Sequence, residues 1–221
     1  KTLFYNDTPI QTYHWKGDKE TLLLAHGWES NTSRWRYKIE TLHRKGYDVI
    51  ALDGPAHGAS GSDTFNAILY SEFINVVSQK FNPTVFLGHS VGGMALVVFL
   101  KKQTYVHAKK LVLLGAPSGF KGIMKRYKEM MDYSRKVSIG IDHYIELKFG
   151  HPPHYFSTAD FVKNIDTQGL LIHDKRDRII PYQDALDIDA QFKSAKLIST
   201  EGLGHSLKGD FITDELIKFL S

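Results

Sequence analysis

The segment that most constrains the fold is residues 84–93, which read Thr-Val-Phe-Leu-Gly-His-Ser-Val-Gly-Gly. Four apolar or β-branched residues open it, and a second apolar run, Met94 to Leu100, follows it directly. The pattern predicts a short buried strand, a turn too tight for side chains at Gly88 and Gly92, and a helix immediately afterwards. Such a turn exposes the hydroxyl of Ser90 at the N-terminus of the helix. An ordinary Gly-rich turn is the alternative, but the strand–turn–helix context favours a nucleophilic serine.

The rest of the chain alternates between strand and helix patterns. Residues 2–16 predict two short strands around a turn at 6–9. Further on, apolar runs typical of strands covered on both faces are separated by patterns of helical period. The predicted strands are 21–25, 47–52, 84–88, 110–115, 169–173 and 195–199, and the predicted helices include 33–45, 66–81, 181–192 and 211–220. This order predicts an α/β fold with a doubly wound, mostly parallel sheet.

The alternation stops after Pro117. From residue 118 to about 165 no strand pattern occurs, and helical pieces rich in Lys, Tyr and Met surround the rigid loop at 151–154. We interpret this segment as a small helical cap inserted into a single domain that spans residues 1–221. An apolar underside of this cap is expected to form a wall of an acyl pocket. Its predicted members are Met124, Tyr127, Met130, Met131 and Tyr133.

Composition excludes several classes of protein. The chain has 42% apolar residues, enough for a large core, and it has no cysteine. Disulfides, thiolate zinc sites and a cysteine nucleophile are therefore excluded. The longest apolar runs have fewer than ten residues, too short to span a bilayer, so no transmembrane segment is expected. A cysteine-free chain without an apolar leader is typical of a cytoplasmic enzyme.

The net charge of +4 is modest but unevenly distributed. Residues 121–148 contain seven Lys or Arg and four Asp or Glu, a net charge of +3. A solvated helical face is the favoured interpretation, and a basic surface near the substrate entrance, suited to anionic substrates, is the alternative. No nucleic acid is expected as a partner, because the chain has no recognised binding motif and no long basic run.

A serine hydroxyl is a poor nucleophile and needs a base, which in turn needs an acid to orient it. His205 is the candidate base, since it lies in a glycine-rich turn at 201–206 between the last predicted strand and the final helix. Asp177 is the candidate acid, in the loop that follows the strand at 169–173. Open α/β sheets place their sites at the carboxyl ends of the strands, where Ser90, Asp177 and His205 are all expected.

These residues and several motifs resemble the α/β-hydrolase superfamily over nearly the whole chain, in particular carboxylesterase- and lysophospholipase-like serine hydrolases. The motifs are Gly-x-Ser-x-Gly at 88–92, His-Gly at 26–27, Asp-x-Pro-x-His-Gly-x-Ser at 53–60, His-x-x-x-Asp-x-x-x-Pro at 173–181 and Gly-His at 204–205. The resemblance implies the α/β-hydrolase fold and a Ser90–Asp177–His205 triad. It also implies an oxyanion hole formed by the backbone N–H groups of Trp28 and Val91.

One position departs from the family pattern. The family usually has glycine after the strand histidine, whereas this chain has Asp174 there. Asp174 is therefore the alternative to Asp177 as the orienting acid.

The function that the resemblance implies is hydrolysis of carboxylic esters or thioesters through an acyl-enzyme, without a cofactor. A perhydrolase, a carbon–carbon bond hydrolase and an acyltransferase would use the same triad, and a non-catalytic ligand-binding protein of the same fold is a further alternative. A serine at the turn argues against dehalogenases and epoxide hydrolases, which use aspartate there. The expected partner is a small-molecule ester, anionic or with an acyl chain, and the expected state is a monomer or homodimer.

Five residues are candidates for binding the substrate: His26, Gly27, His89, Met124 and Tyr127. Bracing of loops is the favoured role for the histidines at 26 and 57, and packing or hydrogen bonding within the turn is expected of the histidine at 89. His143, His151 and His154 have no carboxylate at a recognised metal-ligand spacing, so no metal is expected.

Overall fold

A computed structural model describes residues 1–103 and 105–221. Eight strands form one sheet in the order β1-β2-β4-β3-β5-β6-β7-β8. The strands are β1 (Thr2–Tyr5), β2 (Thr8–Trp15), β3 (Thr21–Ala25), β4 (Asp48–Leu52), β5 (Val85–His89), β6 (Lys110–Leu114), β7 (Gln168–Asp174) and β8 (Ala195–Thr200).

Helices occupy most of the connections between these strands. The α-helices are α1 (Arg36–Arg44), α2 (Ala67–Phe81), α3 (Val91–Gln103), α4 (Phe120–Met131), α5 (Arg135–Phe149), α6 (Thr158–Phe161), α7 (Tyr182–Asp189) and α8 (Asp210–Leu220). Single 3-10 turns are present at Thr32–Trp35, Pro153–Tyr155 and Val162–Asn164.

The sheet is doubly wound and mostly parallel, which confirms the predicted fold class. β4, β3, β5, β6, β7 and β8 run parallel to their neighbours, and β1 and β2 extend the β4 edge as antiparallel strands. The chain passes from β3 to β4 on one side and then returns to place β5 on the other side of β3. Ligands of open α/β sheets bind where the strand order reverses in this way.

Successive side chains along the strands pack alternately into two separate hydrophobic cores, one on each face of the sheet. In β3, Leu23 and Ala25 join the core under α2 and α3, whereas Leu22 and Leu24 join the core under α1 and α8. All four are fully buried. Because helices cover both faces, the central strands read as continuous apolar runs, as the sequence indicated.

The predicted helix at 181–192 differs in its bounds. The structure has α7 over Tyr182–Asp189, with Pro181 as the residue before the helix rather than in its first turn. Phe192, 1% exposed, lies in the turn that follows, and its carbonyl accepts a hydrogen bond from the N–H of Ala195 (2.9 Å). Phe192 is apolar because it is buried in this turn, and its position matched the helical spacing. The prediction therefore extended the helix beyond its actual end.

The segment between β6 and β7 contains α4, α5 and α6, and none of its described residues is in a strand. Its predicted apolar underside was partly wrong, because Met130 and Met131 are 68% and 56% exposed. They lie at the C-terminal end of α4, whereas the apolar residues of that helix that pack against the core, Phe120 and Ile123, lie in its first turn. Within the described residues, no helix is long and apolar enough to cross a membrane.

Candidate active site

The turn between β5 and α3 has the geometry that its glycines predict. Ser90 connects the two elements with φ +52°, a left-handed conformation that non-glycine residues rarely adopt. A Cβ on Gly92 would lie 2.3 Å from the carbonyl oxygen of His26, and one on Gly88 would lie 2.5 Å from Cα of Gly93. Side chains are therefore excluded at both positions. The strained serine persists because close packing fixes the backbone on both sides of it.

His205 and Asp177 form a close pair at the end of β7. The imidazole Nδ1 of His205 lies 2.7 Å from Oδ2 of Asp177. A carboxylate can only accept, so Nδ1 carries the proton and Nε2 is left with a free lone pair, as a general base requires. The side chain of Asp177 is fully buried, whereas that of His205 is 19% exposed. The pair thus has a shielded acid and an accessible base.

The ionised form of Asp177 is stabilised by its surroundings. Its Oδ1 accepts hydrogen bonds from the backbone N–H groups of Ile179 (2.8 Å) and Ile180 (3.0 Å), and Nε2 of His173 lies 3.4 Å from its Oδ2. Burial alone would raise the pKa of Asp177, but hydrogen bonds from His173, His205 and these two N–H groups outweigh it and hold the pKa well below its usual range. Asp177 therefore remains an anion over the whole range in which an enzyme works.

Asp174 has a different set of partners. Its carboxylate accepts hydrogen bonds from the Thr200 hydroxyl and the Leu203 N–H, both at 2.8 Å, and from the Arg176 N–H at 2.9 Å. These bonds brace the start of the loop that carries His205. The structure thus pairs His205 with Asp177, and gives Asp174 a bracing role.

Small residues bring the nucleophile turn and the Asp177–His205 pair together. A Cβ on Gly27 would lie 3.0 Å from Cβ of Ser90, and one on Gly115 would lie 3.5 Å from Nδ1 of His205 and 3.6 Å from Oδ2 of Asp177. The ring centroids of His205 and of His89, the neighbour of Ser90, are 4.8 Å apart. Among the described residues, the hydroxyl of Ser90 makes no hydrogen bond to His205. Such bonds are often long before a substrate binds.

The two expected oxyanion donors, the backbone N–H groups of Val91 and Trp28, directly follow Ser90 and Gly27. Val91 is the first residue of α3, so its N–H has no partner within the helix. Trp28 follows Gly27 in the loop after β3, and its side chain is 58% exposed. This loop is fixed at its next residue, because the N–H of Glu29 donates to Nε2 of His57 (3.0 Å).

His26 does not have the substrate-binding role for which it was a candidate. It is fully buried, its Nδ1 lies 2.7 Å from the carbonyl oxygen of Gly27, and its Nε2 accepts from the N–H of Gly54 (2.8 Å). Burial lowers the pKa of His26 to about 4, so the ring is neutral at pH 7. It braces the loops after β3 and β4, which was the favoured alternative.

His89 is also unavailable to a substrate, because it is 4% exposed and both of its ring nitrogens have partners. Nδ1 accepts from the Arg34 guanidinium (2.6 Å), and Nε2 donates to the carbonyl oxygen of His205 (2.7 Å). Arg34 also donates to the carbonyl oxygen of Ser206 (2.9 Å). Sequence reasoning missed Arg34, since no local motif signals contacts with residues so distant in the chain.

The two candidates in the cap both lie on α4. Met124 lines a cleft of about 270 Å³ between α4, α5 and the turn at Pro153–Tyr155. Tyr127 is 38% exposed and packs against Tyr133, with ring centroids 6.4 Å apart. A separate apolar cavity of about 30 Å³ lies between the cap and the core; it is lined by Ala67, Met94, Val98, Phe120, Ile145 and Phe156 among others.

A larger cleft, of about 500 Å³, lies elsewhere on the molecule. Its walls include Trp15, Thr32, Ile39 and Asp53, and they include none of Ser90, Asp177 and His205. Size alone would point to this cleft as the active site. The chemistry of the side chains points instead to the ends of β5 and β7.

A serine on a tight strand-to-helix turn, and a histidine paired with a buried aspartate, lie at the carboxyl edge of a doubly wound sheet; this arrangement is typical of an α/β-hydrolase site. The sequence profile of the alpha/beta hydrolase family matches residues 22–208, and the chain belongs to that family. The chain is 23% identical to a non-heme haloperoxidase of Rhodococcus erythropolis, over 99% of this chain and 95% of the relative.

Solved structures show the same fold. An esterase from Exiguobacterium antarcticum matches with a TM-score of 0.74 at 19% identity, covering 96% of each chain. A meta-cleavage product hydrolase from Pseudomonas fluorescens matches with a TM-score of 0.74 at 16% identity, covering 100% of this chain and 97% of that one. These relatives carry out different reactions, so the family does not by itself determine the reaction.

Proposed function

We propose that this protein is a serine hydrolase that cleaves carboxylic esters, including thioesters, through an acyl-enzyme. The observation that carries the proposal is the 2.7 Å contact between His205 and Asp177 beside a serine at φ +52°. Ser90 attacks the carbonyl carbon while Nε2 of His205 takes the hydroxyl proton. The alcohol leaves with that proton, and a water activated by the same histidine then hydrolyses the acyl-enzyme.

The oxyanion hole in this proposal consists of the N–H groups of Val91 and Trp28. Both lie next to residues in close contact with the nucleophile turn: Val91 follows Ser90, and Trp28 follows Gly27, whose Cα faces the Ser90 side chain. Two such donors typically lower the barrier by a few kcal/mol, because they hold the negative charge of the tetrahedral intermediate. The N-terminus of α3 adds its partial positive charge.

Covalent labelling with a fluorophosphonate tests the proposal. Intact mass and peptide mapping should show one adduct on Ser90 in the wild-type protein, none in Ser90→Ala, and slow labelling in His205→Ala. Hydrolysis of p-nitrophenyl acetate should disappear with Ser90→Ala. A folded protein that takes no label would contradict the proposal and favour the non-catalytic binding protein.

A basic cleft on the cap leads us to propose an anionic ester as the preferred substrate. The walls of this cleft include none of Ser90, Asp177 and His205, so its lysines act on the substrate through their electrostatic field. Lys121, Lys125 and Lys128 lie at i, i+4 and i+7 of α4, hence on one helical face, and all three line the 270 Å³ cleft. One carboxylate, that of Asp142, shares its walls. Among the described residues, Lys125 alone of the three lies within 4.0 Å of a carboxylate, that of the exposed Glu129 (3.9 Å). The cleft therefore has a positive charge that an anionic group would neutralise.

A pair of esters tests this preference. p-Nitrophenyl butyrate and p-nitrophenyl hemisuccinate have acyl groups of similar length, and the second carries a carboxylate. Replacing all three cleft lysines with glutamine should lower kcat/KM for the hemisuccinate about tenfold, equivalent to about 1.4 kcal/mol, and leave the butyrate unchanged within twofold.

The matched control replaces Lys16, Lys193 and Lys196, which are exposed on other parts of the surface, with glutamine. It changes the net charge equally, so it separates the cleft from the overall field of the protein. Equal effects of the two triple variants on the hemisuccinate would contradict a role for the cleft and leave the triad proposal intact.

A further inference from the structure

Arg34 and His89 form a connected set of contacts with the loop that carries the candidate base. Arg34 lies in the 3-10 turn Thr32–Trp35, which follows the loop of Trp28, and His89 is the last residue of β5. Together they bind two consecutive backbone carbonyls, those of His205 (2.7 Å from Nε2 of His89) and Ser206 (2.9 Å from Arg34). The His89 ring also packs against the His205 ring, at 4.8 Å between centroids.

The hydrogen-bond chemistry permits one protonation state of His89. A guanidinium can only donate, so Nδ1 of His89, 2.6 Å from Arg34, must accept. Nε2 then carries the proton and donates to the His205 carbonyl. Burial, followed by the charge of Arg34, holds the pKa of His89 well below its ordinary value, so this neutral tautomer persists at pH 7.

The contacts with His89 and Ser206 are the main polar contacts of Arg34. Among the described residues, no carboxylate lies within 4.0 Å of its guanidinium, and its buried Nε has no hydrogen-bond partner. The guanidinium packs over the Trp35 ring, 4.9 Å from its centroid. Burial lowers the pKa of Arg34 to about 10, which still leaves it protonated at pH 7. A partly buried cation without an ion pair is costly, which points to a role beyond stability.

The loop that it holds has little rigidity of its own. Gly202, Gly204 and Gly209 all have positive φ, and a Cβ on any of them would meet nothing within 4 Å. Glycines in open surroundings leave the backbone with many accessible conformations. The buried side chain of Leu207 anchors the loop after His205, and hydrogen bonds from outside the loop, those of Asp174, Arg34 and His89, fix the segment between these glycines.

We propose that Arg34 and His89 are positioning residues for the general base, acting through the backbone of residues 205–206. They keep the His205 ring aligned between Asp177 and Ser90, although neither contacts the reacting atoms. This inference rests on the proposed hydrolase function. A displacement of a catalytic group by about 1 Å can cost roughly 100-fold in rate, which sets the scale of the expected effect.

Arg34→Met is the central variant, with Arg36→Met as its matched control. Arg36 lies two residues away, is 75% exposed and pairs with Glu40 on the surface. For p-nitrophenyl acetate, Arg34→Met should lower kcat 10- to 100-fold with KM within twofold, and should slow fluorophosphonate labelling of Ser90 by the same factor. Arg34→Lys retains one donor and should recover part of the loss. Arg36→Met should match the wild type.

The imidazole ¹⁵N chemical shifts of His89 give a readout that does not depend on activity. The wild-type protein should show the neutral Nε2–H tautomer at pH 7. In Arg34→Met, the donor to Nδ1 is lost, and the mixture of tautomers should change. This measurement can be made on Ser90→Ala as well, so it stands apart from the success of the hydrolase proposal.

Two results would overturn the inference. One is a folded Arg34→Met protein that labels Ser90 at the wild-type rate, and the other is a wild-type His89 that carries its proton on Nδ1. If the wild-type protein itself takes no label, the hydrolase proposal fails, and the tautomer experiment still reports on the contacts of Arg34. An Arg34→Met protein with a lower melting temperature but unchanged kcat belongs to the first case, since it shows a structural role without a positioning one.

Discussion

Acidification should destabilise the protein through His26, and the structure gives the size of the effect. The pKa of His26 is about 4 in the folded protein, against about 6.5 in an unfolded chain. Between these values the unfolded state binds the additional proton, so stability rises with pH; the contribution is complete above pH 6.5 and lost as the pH falls to 4. At about 1.36 kcal/mol per unit, the 2.5-unit difference corresponds to roughly 3 kcal/mol.

The variant that isolates this contribution is His26→Gln, because a glutamine amide can still donate and accept but does not titrate. Urea unfolding at pH 7 and pH 4 should show that the wild type loses roughly 3 kcal/mol more free energy of unfolding than the variant. Other titrating groups, His89 included, are common to both proteins and cancel in this difference. At pH 7 the variant should be the less stable protein, since glutamine cannot reproduce both backbone contacts.

His43→Gln is the control, because His43 is exposed in the last turn of α1. It should lose as much stability as the wild type between pH 7 and pH 4. Equal losses in the wild type and in His26→Gln would refute the reasoning. They would mean that protonated His26 finds solvent or a new partner, rather than remaining buried between the carbonyl of Gly27 and the N–H of Gly54.

Three further substitutions test the candidate site. Ser90→Gly should stabilise the protein by about 1 kcal/mol in urea unfolding while abolishing ester hydrolysis, because glycine adopts φ +52° without strain; a less stable variant would contradict this. Asp177→Asn should lower kcat roughly 10⁴-fold with little change in fold, since an amide favours the wrong His205 tautomer. Asp174→Asn should mainly lower the melting temperature. The reverse pattern would exchange the roles of the two aspartates. Gly27→Ala places a Cβ 3.0 Å from Ser90 Cβ and should lower kcat by displacing the Trp28 N–H; unchanged kcat would argue against Trp28 as an oxyanion donor.

The sheet and its site edge could be predicted because their signals are local. A buried parallel strand needs an apolar run, and a strand-to-helix turn as tight as that at Ser90 needs glycine at 88 and 92, so both are visible within ten residues of sequence. Asp177 and His205 were placed at the same edge by a similar rule, since both lie in loops that follow predicted strands. The two loops then meet because β7 and β8 are neighbours in the sheet.

The partners of the remaining polar residues could not be predicted, because they depend on tertiary packing. His26 and His89 have the same residue type and lie next to the same site, and sequence alone made both of them candidates for substrate contact. The structure shows that each uses both ring nitrogens to hold the backbone. Arg34 had no signal at all, since its partner carbonyl at Ser206 is 172 residues away. The prediction that Met130 belongs to a buried face of the cap was wrong for a related reason. Helical spacing shows which side chains share a face, but it does not show whether another element covers that face.

Residues that the sheet positions and residues on the cap are expected to control different properties of the reaction. The proposed nucleophile, acid and base lie beyond the ends of strands that two large cores hold in place, so the fold alone can position them. The groups that we propose to select the substrate lie elsewhere: the lysines of the cleft are on α4, and α4 has no fully buried residue. Substitutions on such an exposed helix cost little stability. Selectivity for the ester should therefore change with the lysines on α4, while kcat for a small neutral ester should depend on Arg34, His89 and the triad.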